Sequence, residues 1–234
     1  DRIRQAENLR EEKSHSVSLS ADMYRRFGAF QCNLLLEGFY TRLNHVFVLE
    51  EIGKDEEHNA VIKERRNGQG AEVAGVTVEG KVAYLSLVQL QAGVTWQKSH
   101  YTRPEKWSKD SSVPAEKRIF RTPDWYGYFT ATYSPVKPLN IALSGTYTGS
   151  MIVQHMKGYI PKDIAVTTPD FFDMNLKISY DFSLYKFITL QLNAGIQNIF
   201  NAYQRDFDQG KERDSGYISV SYTHLRAHET RHDL

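Results

Sequence analysis

From Val88 to Gln97 apolar and polar residues alternate with a period of two, and the pattern returns along most of the chain. Val88, Leu90, Ala92, Val94 and Trp96 fall on one face of an extended strand, and Gln89, Gln91, Gly93, Thr95 and Gln97 on the other. A helix, with its ~3.6-residue repeat, cannot separate such a series; a strand does so at every step. Phe172 to Phe182 repeats the pattern, with Phe172, Met174, Leu176, Ile178, Tyr180 and Phe182 against Asp173, Asn175, Lys177, Ser179 and Asp181. Ile188 to Gln197 does the same. In Leu139 to Val153, Leu139, Ile141, Leu143, Tyr147 and Met151 oppose Asn140, Ser144, Thr146, Thr148 and Ser150. Weaker versions run through Val17–Met23, Phe30–Tyr40, Ala74–Tyr84 and Trp125–Tyr133.

These stretches predict strands at 14–26, 30–49, 72–84, 86–101, 123–134, 139–154, 170–182 and 186–199, with a further strand opening near Ser215. Proline lacks the N–H that a ladder needs. Pro104, Pro114 and Pro161 are accordingly expected in loops, Pro135 and Pro138 in a turn, and Pro123 and Pro169 at strand starts. Tight turns are expected around Gly28, around Leu85, at Pro135–Pro138 and at Ser183–Tyr185. Longer, charged connections fall at 50–71, 102–122, 155–169 and 200–214, and segment 60–66 extends a hairpin beyond the sheet. Strands well past the usual ~5–6 residues, with short turns at one end and long loops at the other, are the habit of membrane-spanning barrels.

Composition narrows the classes further. The net charge is +1, from 29 Lys and Arg against 28 Asp and Glu, so no global field draws nucleic acid. No apolar run reaches the ~18 residues of a spanning helix. One cysteine, Cys32, excludes an internal disulfide, and its place beside Phe30 and Leu34 makes it a small residue of the apolar face. Aromatic residues are plentiful at 12%. The chain opens on Asp1 without a signal-peptide pattern, as expected of an internal piece of a longer protein.

The apolar face meets either a second sheet or lipid. Two details favour lipid. Tyr84, Tyr133, Tyr180, Phe182 and Tyr185 gather near the short turns, and Trp96, Trp125 and Phe172 near the long loops. Trp125 to Tyr133 spans about 27 Å along a strand and roughly 20 Å after tilt, near the height of a barrel's apolar band. The opposite face carries Glu79, Lys81, Asp173, Lys177 and Asp181, which a hydrated lumen tolerates and a sandwich interior does not. A soluble β-sandwich with its polar face in water is the competing reading.

Several segments then resemble the C-terminal barrel region of TonB-dependent outer-membrane receptors. Glu12 to Ser20 is similar to that family's Pro-Glu-x-Ser strand opening, with Glu11 where proline is usual. Gly75-Val76-Thr77-Val78-Glu79 resembles its Gly-x-Glu-x-Glu strand, with Thr77 in place of the first glutamate. Gly195 to Asn201 (GIQNIFN) resembles its Gly-x-x-Asn-(Leu/Ile)-Phe-(Asn/Asp) element near the barrel's end, and Asp214 to Ile218 resembles the lead into the last strand. The resemblance implies an all-β, antiparallel, up-and-down transmembrane barrel in the Gram-negative outer membrane. Residues 1–218 would supply about nine of some 22 strands. It implies active import of a scarce nutrient (siderophore, cobalamin, haem or oligosaccharide), with contacts to outer-membrane lipid and, through a plug domain not contained in this sequence, to the TonB complex. A passive porin and a soluble binding module are the alternatives. An upstream plug domain would decide against the porin, and solubility without detergent would favour the module.

No catalytic constellation is present: G-x-S-x-G, C-x-x-C and a glycine-rich phosphate loop are all lacking, so neither an enzyme nor a resident cofactor is expected. His15, His45, His58, His100 and His155 are scattered and expected as loop or lumen residues. Tyr101, Arg103 and Trp107, with Lys106 and Lys109, form a basic-aromatic loop suited to an anionic ligand, although a solvated charged loop would look the same. His228-Glu229-Thr230-Arg231-His232 matches the H-E-x-x-H zinc pattern, but only two residues follow it and no third ligand does. Val220–Thr230 (VSYTHLRAHET) resembles the translation of a sequencing adapter, so 219–234 is expected to be a non-native tail without metal chemistry.

Overall fold

The computed structural model describes residues 2–55, 60–155, 157 and 160–203. The strands in chain order are β1 (Arg2–Gln5), β2 (Lys13–Phe27), β3 (Phe30–Asn44), β4 (Phe47–Asp55), β5 (Ala60–Asn67), β6 (Ala71–Tyr84) and β7 (Val88–Glu105). They continue as β8 (Glu116–Arg118), β9 (Trp125–Val136), β10 (Leu139–Thr148), β11 (Ile152–His155), β12 (Ile164–Thr167), β13 (Phe171–Tyr185) and β14 (Ile188–Ile196). The main sheet runs β2-β3-β6-β7-β9-β10-β13-β14, with β8 attached to β7. Every neighbour on that path is antiparallel. Each strand pairs with the next long strand in sequence, which is the up-and-down order. The sheet does not close on itself: β2 and β14 are its edges among the described residues.

The burial pattern is inverted relative to a soluble sheet. On β7 the polar Thr95, Gln97 and Ser99 are 6%, 9% and 8% exposed, whereas Leu90, Val94 and Trp96 are 45%, 43% and 40% exposed. Val76, Val78 and Val82 on β6 and Leu34 and Leu36 on β3 are exposed on the same side as Leu90. Nothing among the described residues covers this apolar face, so the sandwich reading has no second sheet to rest on. The remaining sheets are the three-stranded β1-β5-β4 and the two-stranded β11-β12.

Register aligns the outward side chains in rows. One row runs Phe27, Phe30, Tyr84, Val88, Tyr133, Ile141, Ile178 and Ala194 across the whole sheet. It carries the lower aromatics of the first strands, with the Phe30 and Tyr84 rings 4.8 Å apart. On β13 the lower aromatics are Tyr180 and Phe182, further along the strand than Ile178, with ring centroids 4.5 Å apart. The upper aromatics shift in the same sense. Trp96 pairs with Trp125, their rings 6.3 Å apart, while Phe172 lies in the next row down with Val94, Gly127 and Tyr147. Two belts that step together across a sheet are what tilted strands give when both membrane surfaces are flat.

Several boundaries differ from the sequence reading. The strand expected at 30–49 ends at Asn44, because His45 adopts φ 56°, and its last residues, 47–49, belong to β4, paired with β5 in a separate sheet. The strand expected at 139–154 ends at Thr148, and Ile152–His155 pairs instead with β12. The segment 60–66 does extend a hairpin, and β1 joins it in parallel, a pairing the alternation did not announce. Pro104, expected in a loop, and Pro135, expected in a turn, lie inside the ends of β7 and β9. Both sit where the ladder is irregular, between His100 and Glu105 and between Leu139 and Ile141 of the partner pairing, so their missing N–H groups leave no ladder bond unmade. The last tight turn falls after Tyr185, which closes β13. The strand expected near Ser215 and the 219–234 tail lie outside the described residues, as does most of the 200–214 connection.

Candidate functional site

The inward face is a wall of polar side chains held by hydrogen bonds between neighbouring strands. At its centre the Tyr128 hydroxyl donates to Glu79 Oε2 at 2.7 Å, Gln91 Nε2 donates to Glu79 Oε1 at 2.8 Å, and the same amide lies 2.9 Å from the Tyr128 oxygen. Gly93 makes this possible: a Cβ there would stand 2.8 Å from Tyr128 Cε1, so only glycine lets the ring cross β7. Around it, Asn33 donates to Asp22, Asn175 to Asp173 at 3.0 Å and Gln191 to Asp181 at 2.8 Å. Thr77 and Thr95, paired across β6 and β7, share a 2.9 Å hydroxyl contact. Carboxylates paired with amides, beside Lys81 and Lys177 on the same face, make a surface that a hydrated channel or a polar domain can wet.

The outward face changes character beyond the upper aromatics. His15, Arg42, Glu72, His100 and Arg118 occupy one row across β2, β3, β6, β7 and β8. Arg42 and His100 lie 3.7 and 3.6 Å from Glu72, and Lys98 pairs with Asp124 just beyond Trp96 and Trp125. The apolar band therefore ends in charge-balanced pairs. His15 and His100, expected in loops or in the lumen, stand instead on strands in this outward row. His155 is 1% exposed within β11. His58 lies outside the described residues.

The residues singled out for ligand contact sit at the end of β7 and just after it. Tyr101 is half-buried and pairs across the ladder with Ala71, and burial, with the Glu105 carboxylate adding to it, raises its phenol above the usual tyrosine range. Arg103 is exposed. Trp107 is committed to its own loop: its Nε1 donates to the Pro114 carbonyl at 3.2 Å, and its ring meets Phe120 edge-on at 5.3 Å. Nearby, Glu105 is 8% exposed, accepts from the Gln69 backbone at 3.0 Å and lies 3.5 Å from Arg66. The geometry thus leaves Arg103 open and uses Trp107 for packing.

Two features were not legible. A cavity of about 280 Å³ opens between the loop after β7 and the connection after β10, lined by Ser99, Arg118, Thr122, Asp124, Trp125 and Asp170 among others. Asp170 accepts from the Tyr147 hydroxyl at 2.8 Å and the Ser150 backbone at 2.9 Å. In the same region Ser108 Oγ donates to Asp163 Oδ2 at 2.5 Å across 55 positions of sequence. Asp110 is held below the usual carboxylate range by Ser112, with Lys157 and Lys162 adding a smaller pull. No sequence signal short of the fold joins these positions. Among the described residues no cluster of three or more His, Cys, Asp or Glu side chains is placed to hold a metal. The H-E-x-x-H segment lies outside them.

Comparison with known proteins agrees with this geometry. The family model for the TonB dependent receptor-like β-barrel matches residues 2–199. No curated protein sequence matches significantly. Among solved structures, the FrpB iron transporter from Neisseria meningitidis superposes with a TM-score of 0.57 at 12% identity, over 86% of this chain and 29% of that one. The pyoverdine outer membrane receptor FpvA from Pseudomonas aeruginosa PAO1 gives 0.56 at 13%, over 82% and 26%. The ferric-catecholate import receptor Fiu from K12 E. coli gives 0.55 at 16%, over 84% and 24%. The chain therefore spans between a quarter and a third of the first of these proteins, and at such identities the likeness is one of fold.

Proposed function

The chain belongs to the TonB-dependent receptor-like β-barrel family, and from that premise we propose that it forms a stretch of barrel wall in an outer-membrane receptor of a Gram-negative cell. Membership sets it among receptors and transporters, not enzymes. On this reading the apolar face meets lipid and the polar face surrounds a path, or a plug, through which a scarce nutrient is drawn with energy supplied by the TonB complex. Iron complexes and copper are the cargo classes suggested by the structural neighbours, whose names include iron, ferric-catecholate and copper transporters. Tyr101, Arg103 and Trp107 are proposed to meet the nutrient at the long-loop end, Arg103 by direct contact and Trp107 by holding its loop.

The observation that carries the reading is the inversion on β7, where Thr95, Gln97 and Ser99 are buried and Leu90, Val94 and Trp96 are exposed. Such a face is costly in water and favourable in a bilayer. The test is uptake of a labelled ferric catecholate and of copper by cells expressing the complete receptor, with and without a protonophore. Uptake of one cargo that stops with the protonophore supports active import. Entry that persists unchanged would mark a passive pore instead.

A further inference from the structure

We propose that the loop between β7 and β9 and the β11–β12 strand pair with the adjoining Asp163 form one cap and move as a single body, with the Ser108–Asp163 hydrogen bond as the latch between them. The main sheet has almost no apolar interior, yet the β10–β13 connection has one. Ile152, Val153 and Ile160 are 4%, 6% and 8% exposed, and among the described residues Ala71 alone joins them as a buried apolar side chain. The hairpin neck is tied twice, with Thr168 N donating to the Met151 carbonyl at 2.8 Å and Met151 N to Thr168 Oγ1 at 3.2 Å.

The β7–β9 loop is likewise fixed within itself, through Trp107, Pro114 and Phe120. Two bonds then cross between the units. Ser108 Oγ reaches Asp163 at 2.5 Å, and Arg121 N donates to the Ile152 carbonyl at 2.8 Å. Asp163 is itself 9% exposed and also accepts from the Lys157 backbone at 2.5 Å, so the latch anchors on a carboxylate fixed within its own loop. Ile119 and Ile152 border the same cavity, so parting the loops would return apolar surface to water. Beneath them the inward Thr95, Gln97 and Ser99 are buried, and Gln97 Nε2 donates to the Pro123 carbonyl at 3.0 Å. Two rigid loops joined at two points, one of them a charge-assisted hydrogen bond, have no independent hinge between them.

The proposal rests on the barrel reading only for which side of the membrane the cap faces, and its test does not involve transport. In the complete receptor, in lipid and with Cys32→Ser, spin labels are attached through Ser111→Cys and Lys162→Cys, both exposed positions. One narrow distance distribution is expected. Ser108→Ala should broaden it and speed amide exchange in Ile152–His155 at least about tenfold, the effect of losing a hydrogen bond to a carboxylate. Ser108→Thr, which keeps the hydroxyl, should restore both. A broad distribution in the parent, or Ser108→Ala leaving both readouts unchanged, would overturn the proposal.

Discussion

Leu143 and Ser144 are neighbours on β10 that point to opposite faces, and replacing each with arginine separates lipid from lumen in a single step of sequence. Leu143 stands in an outward row between Ala131 and Leu176, with no charged residue on either adjoining strand in that row. It lies four residues from Tyr147 at the upper belt, about 14 Å along the strand and about 10 Å along the membrane normal at a ~45° tilt. That is close to the midplane of a ~25 Å apolar band, where arginine costs about 2–4 kcal/mol. Leu143→Arg should therefore lower the folding equilibrium roughly 30- to 1,000-fold. Ser144 faces inward between Thr130 and Asn175, with Asp173 one pair further along β13. An arginine there meets water and a nearby carboxylate, and its cost should stay within about 0.5 kcal/mol. Guanidinium titration of the complete receptor refolded in phospholipid vesicles reads both values. Equal losses at the two positions, or a larger loss for Ser144→Arg, would refute the assignment of faces.

Gly75→Ala should cost about 1–3 kcal/mol, since its Cβ would stand 2.6 Å from the Trp96 carbonyl and 2.5 Å from Phe39, whereas Gly80→Ala, with nothing within 4 Å, should be neutral or slightly stabilising; the same titration compares them. Tyr128→Phe removes the hydroxyl shared by Glu79 and Gln91 and should cost about 1 kcal/mol, a loss that shrinks when Glu79→Ala is already in place, as a double-mutant cycle would show. The Tyr101 phenol is raised by burial, so its neutral form is the one the fold favours. Its stabilising contribution is complete below the ordinary tyrosine pKa and fades as pH rises through the higher folded value, which an ultraviolet titration differenced against Tyr101→Phe should record. Asp110 is lowered, so its contribution is present above the ordinary aspartate pKa and is lost as pH falls through the folded value; the protection factors of β7–β9 loop amides, taken relative to intrinsic exchange at each pH, should fall in acid, and Asp110→Asn should flatten that fall.

The main strands were readable because each has two unlike faces, and a period of two survives any strand length. What failed was the end of a strand whose apolar content continues into another sheet. Phe47 to Leu49 continue the apolar content of β3 but follow His45, whose positive φ turns the chain away, and no residue type announces that turn. β11 merges with β10 in the sequence because Gly149, Ser150 and Met151 are too short a break to register as a loop. A loop for Pro104 and a turn for Pro135 are the natural expectations, although both need only an irregular ladder. Arg25 is an exception of another kind. It shares the outward face of β2 with Met23 and Phe27, and its long stem allows the guanidinium to reach the lower membrane surface. The candidate ligand loop was visible as a composition, but the sequence did not reveal that Trp107 is used internally. The latch joins Ser108 to Asp163 only after the sheet has brought two distant loops together, which local pattern cannot report.

The central claim is that odd and even positions of β7 face different solvents. Single cysteines at each position from Val88 to Ala92, in the complete receptor with Cys32→Ser and in native membranes, can be labelled with a water-soluble maleimide and with a lipid-dissolved one. The account predicts strict alternation, with Gln89 and Gln91 taking the water-soluble reagent and Val88, Leu90 and Ala92 the lipid-dissolved one. Labelling without a period of two, or with the two reagents exchanged, would contradict it.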